Sequence, residues 1–130
     1  MFPGILNDVK EIMIRNVVVT SPEMTLAEAA RLMEEKNIGS LVVLEKDRVV
    51  GIITERDFLK LAAKGYDSRT SKVAEGMNRS VVKCESTATI TEAFVLMRKH
   101  RVRHLPVVDK EKLVGVVSLS DLVSVGKLLL

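Results

Sequence analysis

Two steps in this chain place a hydroxyl three residues ahead of an aspartate, each behind a glycine and two β-branched residues. The first is Gly51-Ile52-Ile53-Thr54-Glu55-Arg56-Asp57; sixty-four residues later comes Gly115-Val116-Val117-Ser118-Leu119-Ser120-Asp121. A short apolar strand would deliver the hydroxyl and the carboxylate onto the first turn of a following helix. Backbone N–H groups lack partners there, and anions are favoured. The chemistry implied is ligand binding by a paired module. A plainer explanation competes with it, because Thr54-x-x-Asp57 and Ser118-x-x-Asp121 also satisfy the capping-box pattern. Thr25-Leu26-Ala27-Glu28 and Thr89-Ile90-Thr91-Glu92 carry such a box with no sign of chemistry. Three features favour the ligand. Gly51 and Gly115 leave bare backbone where another group can approach closely. The acid is Asp in both copies, whereas the ordinary boxes use Glu. The basic run Arg98-Lys99-His100-Arg101-Val102-Arg103-His104 sits in register with the same repeat.

The elements that position these steps are themselves duplicated. Shifted by sixty-four residues, the second half lies on the first without a gap. Val9, Glu11 and Met13 fall on Val73, Glu75 and Met77, while Glu28, Ala29 and Met33 fall on Glu92, Ala93 and Met97. A duplicated unit folding as one pseudo-symmetric domain is simpler than a two-repeat solenoid. In each unit a short helix around Val9 to Met13 leads to a strand over 17–20. The helix after Thr25 carries Leu26, Ala29, Ala30, Met33 and Asn37 on one stripe, and Asn37 and Gly39 stop it. A hairpin follows, with strands over 41–44 and 48–53 about the turn Glu45-Lys46-Asp47. A closing helix over 54–63 has Phe58, Leu59, Ala62 and Ala63 as its apolar residues. The repeats run over 8–66 and 72–130. The expected class is mixed α/β (α+β): two β-α-β-β-α repeats packed about a pseudo-twofold axis.

A composition of 47% hydrophobic and 28% charged residues is that of a globular chain, and three Phe, one Tyr and no Trp leave the core to Val, Ile, Leu and Met. Cys84 is the one cysteine, which excludes an internal disulfide and fits a reducing compartment. No basic region and apolar run opens the chain, and no apolar stretch reaches the ~20 residues a bilayer span needs. A cytoplasmic protein is expected. The net charge of +3 is mild.

Together these residues resemble a tandem pair of CBS domains, the cystathionine β-synthase type regulatory module, over nearly all of 8–130. The resemblance rests on Ile38-Gly39-Ser40-Leu41-Val42-Val43 with Gly51 to Asp57. Its second half rests on Val102-Arg103-His104-Leu105-Pro106-Val107-Val108 with Gly115 to Asp121. It implies a cleft between the repeats with up to two adenosine-ligand sites. In the first implied site Ser118, Asp121 and Val116 act with Thr20, Ser21, Ile38 and Gly39, and Arg103 and His104 lie near the phosphates. In the second, Thr54, Asp57 and Ile52 act with Cys84, Glu85 and Val102. The chemistry agrees: an ionised carboxylate only accepts, which suits a ribose diol, and a guanidinium forks to phosphate oxygens. Glu85 would repel a phosphate, so the Asp121 site ranks first.

The resemblance implies a stand-alone sensor for AMP, ADP or ATP that needs no cofactor and is not an enzyme. It would associate as a homodimer and act on a separate regulated protein. The apolar end from Val123 to Leu130 is a candidate interface element. S-adenosylmethionine is an alternative ligand. A scaffold or nucleic-acid binder using residues 98–104 is another, disfavoured because the run has no interleaved aromatics. His100 and His104 are four apart, but a metal site is disfavoured because the helix should end before Val102. Cys84 reads as a packed or pocket-lining thiol.

Overall fold

The computed structural model describes residues 8–129, with side chains described through Ser124. The first seven residues and Leu130 lie outside the described residues, as do the side chains of the apolar C-terminal end beyond Ser124. The chain runs β1 (Val19–Thr20), α1 (Leu26–Lys36), β2 (Ser40–Glu45), β3 (Arg48–Thr54) and α2 (Glu55–Ala63). It continues through α3 (Val73–Gly76), β4 (Cys84–Glu85), α4 (Ile90–His100), β5 (His104–Asp109), β6 (Lys112–Ser118) and α5 (Leu119–Leu129). The repeated strand, helix, strand, strand, helix order makes this a mixed α/β protein, as the sequence indicates.

Local chemistry explains the boundaries. Thr25 and Glu28 close a reciprocal capping box on α1, and Thr89 and Glu92 close one on α4. Asn37 and Arg101 end those helices in the left-handed region, at φ 53° and 55°. Asn enters that region readily and Arg does not. The hairpins turn through Lys46-Asp47 and Lys110-Glu111, all four at positive φ, the two-residue geometry that matches strand twist. β1 pairs parallel with β2, and β2 pairs antiparallel with β3 with Ser40 opposite Thr54. β4, β5 and β6 repeat this with His104 opposite Ser118.

Two expectations about helix faces are corrected. On α1 the buried stripe is Leu26, Ala29 and Met33, whereas Ala30 and Asn37 are exposed. One residue is a 100° rotation about a helix, enough to turn Ala30 away from the core. On α2 the buried residue is Leu61, and Leu59 is 70% exposed.

The compact units do not follow the repeats. Val18–Val81 forms one unit, and the described residues before Val18 join those from Val82 onward in the other. Val9 donates its N–H to Ala88 O at 2.9 Å, and its side chain is buried with Cys84, Ala93, Met97 and Leu105. Val73 donates to Met24 O at 2.8 Å and is buried with Leu26, Ala29, Leu41 and Ile53. Each leading segment is too short to hold its own turn in water. It is fixed by inserting its Val and Met into a core built from the other repeat.

Candidate functional site

In the unit carrying α5, the β5–β6 hairpin sets His104 opposite Ser118. One residue earlier, Arg103 accepts the Leu119 N–H on its carbonyl at 2.8 Å. Ser118 Oγ accepts the Asp121 N–H at 3.1 Å and lies 3.1 Å from Ser120 Oγ. Arg103, His104, Ser118 and Asp121 thus converge on the first turn of α5. The Asp121 carboxylate does not complete a capping box. Its Oδ2 is buried with no hydrogen-bond partner. A buried acceptor without a donor carries a desolvation cost of about 1–3 kcal/mol, offset here in part by the positive end of the helix dipole.

The other unit presents the same elements with different chemistry. Asp57 Oδ2 accepts from Thr54 N at 2.8 Å and from Thr54 Oγ1 at 3.0 Å, while Thr54 Oγ1 accepts from Asp57 N at 3.4 Å. This box is closed. Glu55 donates its N–H to Gly39 O at 3.0 Å, and a Cβ added at Gly39 would lie 2.9 Å from Glu55 Oε1. At the corner where one unit offers Arg103, the other offers glycine beneath a carboxylate. The two steps therefore differ both in local charge and in whether the aspartate is already engaged.

Some of the sequence argument is revised by this geometry. The first and third amides of each closing helix are bonded within the unit, to Gly39 O or Arg103 O and to Thr54 or Ser118 Oγ. The first turn is thus less open to an anion than the pattern suggested. The glycines also have a structural cause. A Cβ at Gly51 would come within 2.6 Å of Met77 Sδ, and one at Gly115 within 2.5 Å of Met13 Sδ. The close approach comes from the leading segments, and a ligand is not needed to explain it. The same segments occupy the main chains of two expected site residues. Ile52 exchanges hydrogen bonds with Asn78, and Val116 with Ile14, leaving only their half-buried side chains for recognition.

The remaining residues are placed as follows. Thr20 is buried on β1, level with Val43, and its hydroxyl donates to Met24 Sδ at 3.0 Å. Ser21 follows it and is exposed. Ile38 and Val102 are half-buried and bond Met33 O and Met97 O, each at 3.0 Å. Cys84 is the repeat counterpart of Thr20 and is 5% exposed. Burial, and then the Glu85 and Glu92 charges, push its thiol up to about 11. Among the described residues no group of His, Cys, Asp and Glu could hold a metal ion. Ser120, which sequence reading passed over, adds a second hydroxyl beside Ser118; the signal was the Ser-x-Ser-Asp spacing.

The Cys84 shift predicts an alkaline weakness. The folded thiol stays protonated up to about 11 against an ordinary 9.0, so between those values the unfolded chain has released a proton that the folded chain retains. Stability falls across that window, by roughly 2–3 kcal/mol at ~1.4 kcal/mol per unit. Urea unfolding at pH 8 and pH 10.5 should show a larger fall for the native chain than for Cys84→Val. Equal falls would refute the assignment.

The CBS domain family model matches residues 9–64 and 71–127. The chain belongs to the CBS-domain family. Its two CBS repeats are 38% identical over 118 residues to the CBS domain-containing protein YhcV of Bacillus subtilis, covering 90% of this chain and 84% of that one. A solved CBS domain superposes with a TM-score of 0.88 at 33% identity, over 93% of this chain and 98% of the other. A CBS domain pair solved in complex with 5'-methylthioadenosine and S-adenosyl-L-methionine superposes with a TM-score of 0.86 at 25% identity, over 94% and 97% of the two chains. No helix among the described residues is long and apolar enough to cross a membrane.

Proposed function

We propose that the chain is a regulatory sensor of adenine nucleotides (AMP, ADP or ATP), binding them between its CBS repeats and acting as a cytoplasmic homodimer on a separate protein. The observation that carries this reading is the Asp121 carboxylate, which keeps one buried oxygen without a donor beside Ser118, Arg103 and His104. A ribose diol supplies the two donors a carboxylate can take, and Arg103 supplies the fork for a phosphate. Thr20, Ser21, Ile38, Gly39 and Val116 complete this site in the proposal. Thr54, Asp57, Ile52, Cys84 and Val102 form the second, weaker one, because Asp57 must give up its closed box to take a diol. No catalytic role is assigned to any of these residues, and the ligand acts as an effector.

Calorimetric titration with AMP and with ATP tests the reading, alongside a native mass spectrum of freshly purified protein. Heat with either nucleotide is expected, and silence with both would sink the claim. An S-adenosylmethionine ligand is the second reading, favoured by the solved pair that holds that molecule. A sulfonium needs no guanidinium, so Arg103→Ala should weaken AMP about tenfold or more through the lost charge-assisted hydrogen bonds and spare S-adenosylmethionine. The opposite ranking would reverse the choice. Nucleic-acid binding through residues 98–104 would instead show steep salt dependence and no competition by AMP.

A further inference from the structure

The internal repeat provides a control for every position, because residues sixty-four apart occupy the same place in the two repeats. At the corner joining β1 to α1 the copies part company. One carries Thr20 and Met24, and the other carries Cys84 and Ala88 at the matching positions. Ala88 is buried, so the fold accepts a small residue there and does not require a methionine. Met24 also stands apart from its own kind. Met13, Met33, Met77 and Met97 are buried, and Met24 is the one methionine among the described residues that is only half-buried.

Its sulfur is held in one orientation. The Met24 side chain packs on the core that contains Leu26, Ala29, Leu41 and Ile53. Its N–H donates to Ser21 O at 3.3 Å, and its carbonyl accepts the Val73 N–H at 2.8 Å. The buried Thr20 hydroxyl donates to Met24 Sδ at 3.0 Å, closer than its other acceptor, Ser21 O, at 3.4 Å. A thioether sulfur has two lone pairs, and a hydroxyl at that distance occupies one of them. An oxygen added on that side would have to enter a gap no longer than a hydrogen bond. The lone pair turned away from Thr20 is the one open to an oxidant.

We infer that Met24 is a peroxide-responsive modification site, oxidised in the folded chain to a single epimer of its sulfoxide. Hydrogen peroxide is the co-reactant. The free lone pair of sulfur attacks one peroxide oxygen, the O–O bond breaks, and the departing hydroxide takes the proton of the transferred oxygen to leave as water. Sulfur loses two electrons and the peroxide gains them. Susceptibility follows exposure, and the sulfoxide is returned to methionine by reductases, one enzyme for each epimer. Cys84 does not compete, because burial keeps its thiol protonated and the thiolate is the reactive form. With the new oxygen directed away from the buried hydroxyl, the core keeps its apolar lining. Oxidation is then a reversible mark, one residue ahead of the Thr25 cap of α1, and not a lesion. The inference is independent of the nucleotide reading.

The test is peptide mapping after brief exposure of the folded chain to dilute hydrogen peroxide. Trypsin releases residues 16–31, in which Met24 is the one methionine. Met24 should oxidise at least about tenfold faster than Met33 or Met97. Given the two classes of methionine sulfoxide reductase separately, one class should reduce about five times as much of that peptide as the other, or more. The same peptide oxidised after digestion lacks the folded Thr20 contact and should be divided about equally between them. Thr20→Ala should bring the folded product towards that equal mixture, and Thr20→Ser, which keeps the hydroxyl, should restore the selectivity. An equal mixture from the folded native chain would overturn the inference, as would a Thr20→Ala product as selective as the native one. Oxidation of Met24 no faster than that of Met33, or loss of helical circular dichroism once Met24 alone is oxidised, would do the same.

Discussion

If the proposed nucleotide sites are right, Asp121→Ala is expected to abolish the stronger of them without weakening the ligand-free fold, and Asp57→Ala to do nearly the reverse. The two aspartates occupy one position of the repeat, but their carboxylates are differently employed. Asp57 Oδ2 holds the Thr54 amide and hydroxyl, so its removal forfeits a capping box worth about 1 kcal/mol. Asp121 Oδ2 is buried with no partner. Truncating it removes an unsatisfied acceptor, so the change in unfolding free energy should be zero or slightly favourable. For binding the order inverts. Hydrogen bonds to a charged group contribute ~1.5–3 kcal/mol each, so loss of the Asp121–ribose contacts should weaken AMP at least about tenfold. Loss of Asp57 should change the strongest binding event by less than about threefold. Urea unfolding and calorimetry on both variants check the two signs together. A destabilised Asp121→Ala protein that still binds AMP at native affinity would exclude the assignment.

The contrast between the aspartates also shows what the sequence could convey. The repeat, the element order and the helix caps were legible, because each depends on residues adjacent in the chain. Thr25 with Glu28 and Thr89 with Glu92 are three apart, and local geometry decides them. Closure of the third and fourth boxes was not legible, because Thr54-x-x-Asp57 and Ser118-x-x-Asp121 read alike. The destination of the leading segments was equally hidden. Val9 and Val73 match each other in sequence, and nothing local indicates that each enters the core of the other repeat's unit. Leu59 and Ala30 were misplaced for a related reason. A helix of nine or eleven residues offers few periods, so one apolar residue beside the stripe is easily counted within it. The contrast between Gly39 and Arg103 is repeat-matched and so lies in the sequence, but the ranking of the two sites rested on Glu85, and the exchange of glycine for a guanidinium at that corner went unread.

The exchange of leading segments carries the second large prediction, at Gly115. Replacing glycine by alanine in a strand normally gains stability, because glycine loses the most freedom on folding. Gly115→Ala should instead cost about 1–3 kcal/mol, the usual penalty for overpacking. The new Cβ would stand 2.5 Å from Met13 Sδ and 3.1 Å from Ile14 O. The sulfur belongs to a buried residue, and the oxygen belongs to backbone held by the Ile14–Val116 hydrogen bonds, so neither can withdraw without loosening the segment. Met13→Ala alone should cost about 2–4 kcal/mol as a core truncation. The double variant should lose less than the sum by at least about 0.5 kcal/mol, because the methyl refills part of the cavity the methionine leaves. The Ile14 carbonyl keeps the rescue partial. Gly51→Ala against Met77→Ala tests the same packing in the other unit, where the corresponding approaches are 2.6 Å to Met77 Sδ and 3.2 Å to Asn78 O. Additive losses in both cycles would mean that the glycines are not what admits the leading segments.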